Sequence, residues 1–191
     1  KEMLDIFEEE RPIDHRLRCR IEHAQHLAGD DIPRFQKLGI IASVQPCHQP
    51  ADMKNADNFL GADRASRTYA FRSLLNAGAV LAFGSDAPVE PMDMLPNIHA
   101  AVTRTKKDGT PPGGWHPEQK LTVNEAVHGF TMGAAYASGE ENLKGSLSPH
   151  KFADLVVLSE DIFTIDPATI WKVQVDMTMV NGKMVYERKG S

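Results

Sequence analysis

Ala79-Val80-Leu81-Ala82-Phe83 is an unbroken apolar run set between the turn-like Asn76-Ala77-Gly78 and the polar Gly84-Ser85-Asp86. A strand of that composition is buried on both faces, and such strands belong to parallel sheets sheltered by helices. The residues before it repeat the arrangement. Asp30 or Asp31 can cap a helix with Pro33 in its first turn, Phe35 and Leu38 on its inner face and Gly39 closing it. Ile40-Ile41-Ala42-Ser43-Val44 then reads as a strand ended by Pro46, and Leu17 to Ile21 as a shorter, earlier one. Met3, Leu4 and Phe7 recur at helical spacing in a segment expected to stop at Arg11-Pro12, and Tyr69, Phe71, Leu74 and Leu75 mark another helix. This alternation predicts an α/β architecture in which the three strands lie side by side and parallel. The polar stretch from His48 to Arg64 is expected to be a long, functional loop.

The last third changes character. Pro96 to Arg104 has a helical pattern, and Lys106 to His116 is a loop rich in Gly and Pro. Thr122 and Glu125 have the spacing of a capping box for a helix carrying Val123, Ala126, Val127 and Phe130 inward. From Asp154 the chain turns to strands: Leu155 to Leu158, Met177 to Val180 and Lys183 to Tyr186, the last two joined by the hairpin signal Asn181-Gly182. A domain change is therefore expected near residue 140, with an α/β portion over 1–140 and a small β portion over 141–191.

Composition closes off several classes of function. The 191 residues are 41% hydrophobic and 25% charged, as in an ordinary globular chain. A net charge of −5 leaves no basic excess for nucleic acid. No apolar run approaches the roughly 20 residues that span a bilayer. Two cysteines, Cys19 and Cys47, cannot make a disulfide framework and fit a reducing, cytoplasmic setting. The chain opens directly in a helical pattern without Met or a signal peptide, so it is expected to be part of a longer protein.

Two strand ends carry chemistry. His23 closes the strand beginning at Leu17, and Asp86 follows the most apolar strand. Ligands of parallel α/β folds bind outside the carboxyl ends of strands, so both residues are expected on one rim. Imidazole and carboxylate are the donors of a hydrolytic zinc site. The competing reading of Asp86 is the cap of the next helix, which Ala87-Pro88 would suit. His48 and Gln25 are candidates to line a substrate pocket. Cys47 reads better as a pocket wall than as a nucleophile, since no activating base stands near it in sequence.

The segments Arg20 to Gln25 (RIEHAQ), Arg67 to Gly78 (RTYAFRSLLNAG), Phe83 to Val89 (FGSDAPV) and Gly145 to Leu158 (GSLSPHKFADLVVL) resemble, in this order, the amidohydrolase superfamily of metal-dependent hydrolases. The terminal VNGKMVYE around Asn181-Gly182 adds a less specific match. The resemblance implies the C-terminal part of a TIM-type (β/α)8 barrel, holding its sixth to eighth strands, beside strands of a small β-sandwich. It implies one or two divalent ions, Zn2+ first among them, held in part by Asp86 and by His23, a position that is a ligand or a substrate contact depending on the subgroup. Asp86 would also be the general base that activates water against a carbon–nitrogen bond of a small amide or formamide. The remaining ligands would lie upstream of Lys1, so that the chain alone is expected to be inactive and, with open sheet edges, to form oligomers. His150 stands where the family usually has Gly, which bears on turn geometry. Two alternatives stay open: a metal-dependent esterase or lactonase of the same fold, and a non-catalytic scaffold.

Overall fold

The computed structural model describes residues 1–10 and 17–189. The chain is mixed α/β. Helix α1 spans Glu2–Glu9, and the expected stop at Arg11-Pro12 lies outside the described residues. Strand β1 is Arg20–Glu22, β2 is Ile41–Val44 and β3 is Leu81–Phe83. They form one sheet in the order β1-β2-β3, parallel throughout, with Ile21 opposite Ala42 and Ser43 opposite Ala82. β1 begins later than Leu17 because Arg18 is drawn aside, pairing with Glu141 and lying 3.6 Å over the Tyr136 ring, while Leu17 is left exposed.

Helix α2 (Ile32–Leu38) follows a short 3-10 turn at Gly29–Asp31 and ends at Gly39 in left-handed backbone (φ 66°). Asp31 makes no capping bond. It is buried and pairs instead with Arg34 at 2.8 Å. Phe35, Leu38 and Ile40 join Ala42, Val44, Leu74, Leu81 and Phe83 in the core, the layer between helices and sheet.

One expectation is overturned here. His48 to Arg64 is not a loop: His48–Ala65 is helix α3, kinked at Gly61 (φ 74°). Its apolar residues are few, because Gln49, Ala56 and Ala65 are its buried positions, with Met53 and Leu60 packed at the margin of the core. Small or polar residues at the buried positions and an exposed Phe59 hid the helical period.

Helix α4 (Phe71–Asn76), α5 (Met94–Thr103) and α6 (Val123–His128) complete the first part. The Thr122–Glu125 capping box of α6 is formed in both directions. α6 continues through a π turn at Gly129–Gly133 into α7 (Ala134–Ala137) and passes close across β3. A Cβ on Gly133 would stand 2.1 Å from the Leu81 carbonyl oxygen, so only glycine allows that approach.

Strands β4 (Leu155–Leu158), β5 (Val175–Val180) and β6 (Lys183–Glu187) make a second, antiparallel sheet. Asn181 and Gly182 turn the β5–β6 hairpin with positive φ at both positions (49° and 74°), and Asp154 accepts the Asn181 N–H at 2.7 Å. Among the described residues, no helix is long and apolar enough to cross a membrane.

Candidate metal centre

All three parallel strands deliver a side chain to the same end of the sheet. β1 is followed at once by His23, whose backbone N–H extends the ladder to the Ser43 carbonyl at 2.7 Å. His23 then turns out of the strand with φ 68°. β2 runs through Gln45-Pro46-Cys47 into α3, so that His48 is the first residue of that helix. β3 continues through Gly84, which bonds the Val44 carbonyl at 3.1 Å, to Asp86, again at positive φ (60°). Left-handed backbone costs a non-glycine residue about 1–2 kcal/mol, and such strain gathers at functional sites.

His23, His48 and Asp86 each offer one ligand atom, and these atoms all lie within 4.8 Å of one another. The two imidazoles are stacked, 6.1 Å between centroids with 23° between planes. His23 Nδ1 lies 3.0 Å from the side-chain carbonyl oxygen of Gln45. A carbonyl can only accept, so the contact is made with a proton on Nδ1, and in the neutral ring Nε2 then holds the lone pair that a cation would take. His48 Nε2 is buried with no hydrogen-bond partner. Buried ring nitrogens are normally satisfied, and a cation is one group that would do so here. Two neutral imidazoles and a carboxylate make a three-donor set of the kind catalytic zinc uses.

The sequence brings His23 and Asp86 to this rim, and the structure adds His48 beside them. Asp86 is not a helix cap. The next helix is α5, and its cap is Asp93, which accepts the Leu95 N–H at 3.0 Å. Gln25 is not one of the three donors; its amide donates to the Tyr69 hydroxyl at 2.8 Å. Cys47 directly precedes α3, its backbone N–H donates to the Asn97 side-chain oxygen at 3.0 Å, and burial pushes its thiol up to about 11. Arg67 grips Asp63 through two bonds of 2.9 and 2.7 Å. Gln45, which orients His23, escaped the sequence reading. Its signal was a glutamine directly after an apolar strand, and it is buried.

The Amidohydrolase family model matches residues 2–186. Protein LONG AFTER FAR-RED 3 of Arabidopsis thaliana is 40% identical over 193 aligned positions, which cover 96% of this chain and 32% of the plant protein. N-substituted formamide deformylase of Arthrobacter pascens is 32% identical over 125 residues, 65% of this chain and 22% of that protein. Among solved structures, an uncharacterized metal-dependent hydrolase from Pyrococcus horikoshii OT3 matches with a TM-score of 0.73 at 30% identity, covering 86% of this chain and 32% of that chain. This chain thus spans about a third or less of the length of these relatives. The parallel sheet β1-β2-β3 is accordingly a portion of the (β/α)8 barrel of such hydrolases, with the cluster at its carboxyl end. Sequence, fold and relatives agree, and the chain belongs to the amidohydrolase family.

Proposed function

We propose that this chain supplies part of the active site of a metal-dependent hydrolase that cleaves a carbon–nitrogen bond of a small amide or formamide. The observation that carries the reading is the meeting of His23, His48 and Asp86 within 4.8 Å at the carboxyl ends of three consecutive parallel strands. The formamide deformylase relative supports the bond type, and the metal-dependent hydrolase relative supports the cofactor class.

His23 and His48 would hold a divalent cation through ring nitrogens, and Asp86 through a carboxylate oxygen. The donor set suits zinc. A cation bound there supplies Lewis acidity, polarising a carbonyl and making water easier to deprotonate. The other carboxylate oxygen of Asp86 takes the proton of the attacking water and returns it to the departing nitrogen, so that an amine and not an amide anion leaves. Gln45 fixes the His23 ring throughout, through its 3.0 Å contact with Nδ1. Asp86 is exposed, which leaves its carboxylate open to solvent and substrate.

The test is an Asp86→Asn and His23→Ala pair in the protein that carries this sequence, assayed on formamides, amides and esters with metal content measured alongside. Asp86→Asn is expected to lose about 10²–10⁴-fold in turnover, the scale of general-base catalysis, while keeping metal. His23→Ala is expected to lose metal first and to recover part of its activity when metal is added. An Asp86→Asn protein as active as wild type would overturn the mechanism.

A further inference from the structure

We propose that Arg104, Tyr69 and Trp115 form a brace that positions helix α3 and, through it, the His48 ring; this rests on the metal reading of the cluster. Arg104 is fully buried, at 0% exposure, and no carboxylate pairs with it among the described residues. Its guanidinium is satisfied by main-chain carbonyls instead: Nε donates to Trp115 at 2.6 Å, Nη1 to Tyr69 at 2.9 Å and Nη2 to Thr68 at 3.5 Å. A buried cation is costly unless it is bonded in this way, so the two segments that supply the carbonyls are tied to one point.

Each segment then reaches α3 through an aromatic side chain. The Tyr69 hydroxyl donates to Asp52 at 3.3 Å, and the Trp115 indole N–H donates to Asp57 at 3.0–3.1 Å. Tyr69 and Trp115 are themselves buried, at 1% and 7% exposure. α3 needs such anchors because its buried residues are one glutamine and two alanines. Its first residue is His48, whose neighbouring ring nitrogens must be placed to within a fraction of an ångström for a cation to be shared. The planar fork of arginine reaches the three carbonyls from three separate nitrogens, Nε, Nη1 and Nη2, positions that the single nitrogen of lysine cannot all occupy.

The experiment measures zinc affinity of the protein carrying this sequence, and the Overhauser contact between the His23 and His48 rings in the same protein, metal-free and labelled with carbon-13 histidine. Asp57→Ala and Asp52→Ala are expected to lower zinc affinity about 10–100-fold, the usual cost of an outer partner, and to weaken the ring contact. Asp57→Asn and Asp52→Asn keep an acceptor and are expected to stay near wild type. Arg104→Lys is expected to behave like the alanine variants. In a His48→Ala background, Asp57→Ala should cost nothing further. The brace is overturned by an equal loss in that background, or by alanine variants that keep both zinc affinity and ring contact. Should wild type bind no zinc, the metal reading fails on its own, and the ring contact still decides the brace: lost in Asp57→Ala and kept in Asp57→Asn supports it, kept in both refutes it.

Discussion

Cys47 sits one residue before a cluster donor, yet its environment works against reactivity. Burial raises its thiol, with the Glu90 charge adding to the effect, from an ordinary 9.0 to about 11. The thiolate is the reactive species, and at pH 8 two units of displacement leave about 100-fold less of it than an ordinary thiol has. Alkylation by iodoacetamide in a Cys19→Ser background is expected to run slower than a free cysteine by about that factor. A normal rate would return Cys47 to the list of nucleophiles. His150 shows a different residue-scale compromise. It adopts φ 71°, the left-handed region that glycine takes without strain, at the position where the family resemblance leads one to expect glycine. The chain keeps the turn and accepts the strain.

At the scale of elements, the N-terminus of α6 is the best-defined local structure. Glu125 closes the capping box with Thr122 and also forms a forked ion pair with Arg72 on α4. Arg72, opposed by desolvation and assisted by Thr122, holds the Glu125 carboxyl down to about 2 from 4.5. A carboxyl lowered on folding contributes stability that is complete above its unfolded value and is lost as pH falls from about 4.5 toward 2. Glu125→Gln preserves the box but removes the charge, so it is expected to lower stability by about 1 kcal/mol at pH 7. Melting curves of the two proteins should converge as pH falls to about 2; a gap that persists in acid would assign the loss to packing. This element was legible in sequence because its signal is local, two residues three apart. The β5–β6 hairpin was legible for the same reason, in Asn181-Gly182. Helix α3 was not, because what secures it is distant: Asp52 and Asp57 find Tyr69 and Trp115 in other segments. The start of β1 was misplaced by a contact between Arg18 and Glu141, which no window along the chain can reveal. Of the cluster, strand ends announced His23 and Asp86 as donors, and His48 only as a residue lining the pocket; its place beside them comes from the start of α3.

For the whole molecule, the cluster is a product of the tertiary fold alone, since its donors are carried by three separate strand–helix units. An unfolded chain does not hold them together, so a cation bound by all three binds the native state. Zinc is then expected to raise the melting midpoint in a concentration-dependent way, by about 2.7 kcal/mol of stability at a hundredfold excess over its dissociation constant. The shift should vanish in a His23→Ala, Asp86→Ala double variant, and an equal shift there would mean that zinc binds elsewhere.

The central position of β2 orders the assembly of the sheet in time. The loop that closes to pair β1 with β2 is shorter than the one that brings in β3, and closure entropy grows with length. β1 and β2 are therefore expected to dock first, with Asp86 reaching the rim with the last strand. A ligand whose site is completed only at the end of folding stabilises the native state and not the barrier leading to it. In a chevron plot zinc should accordingly slow the unfolding limb and leave the refolding limb unmoved; acceleration of refolding would mean that the donors gather earlier than the topology dictates.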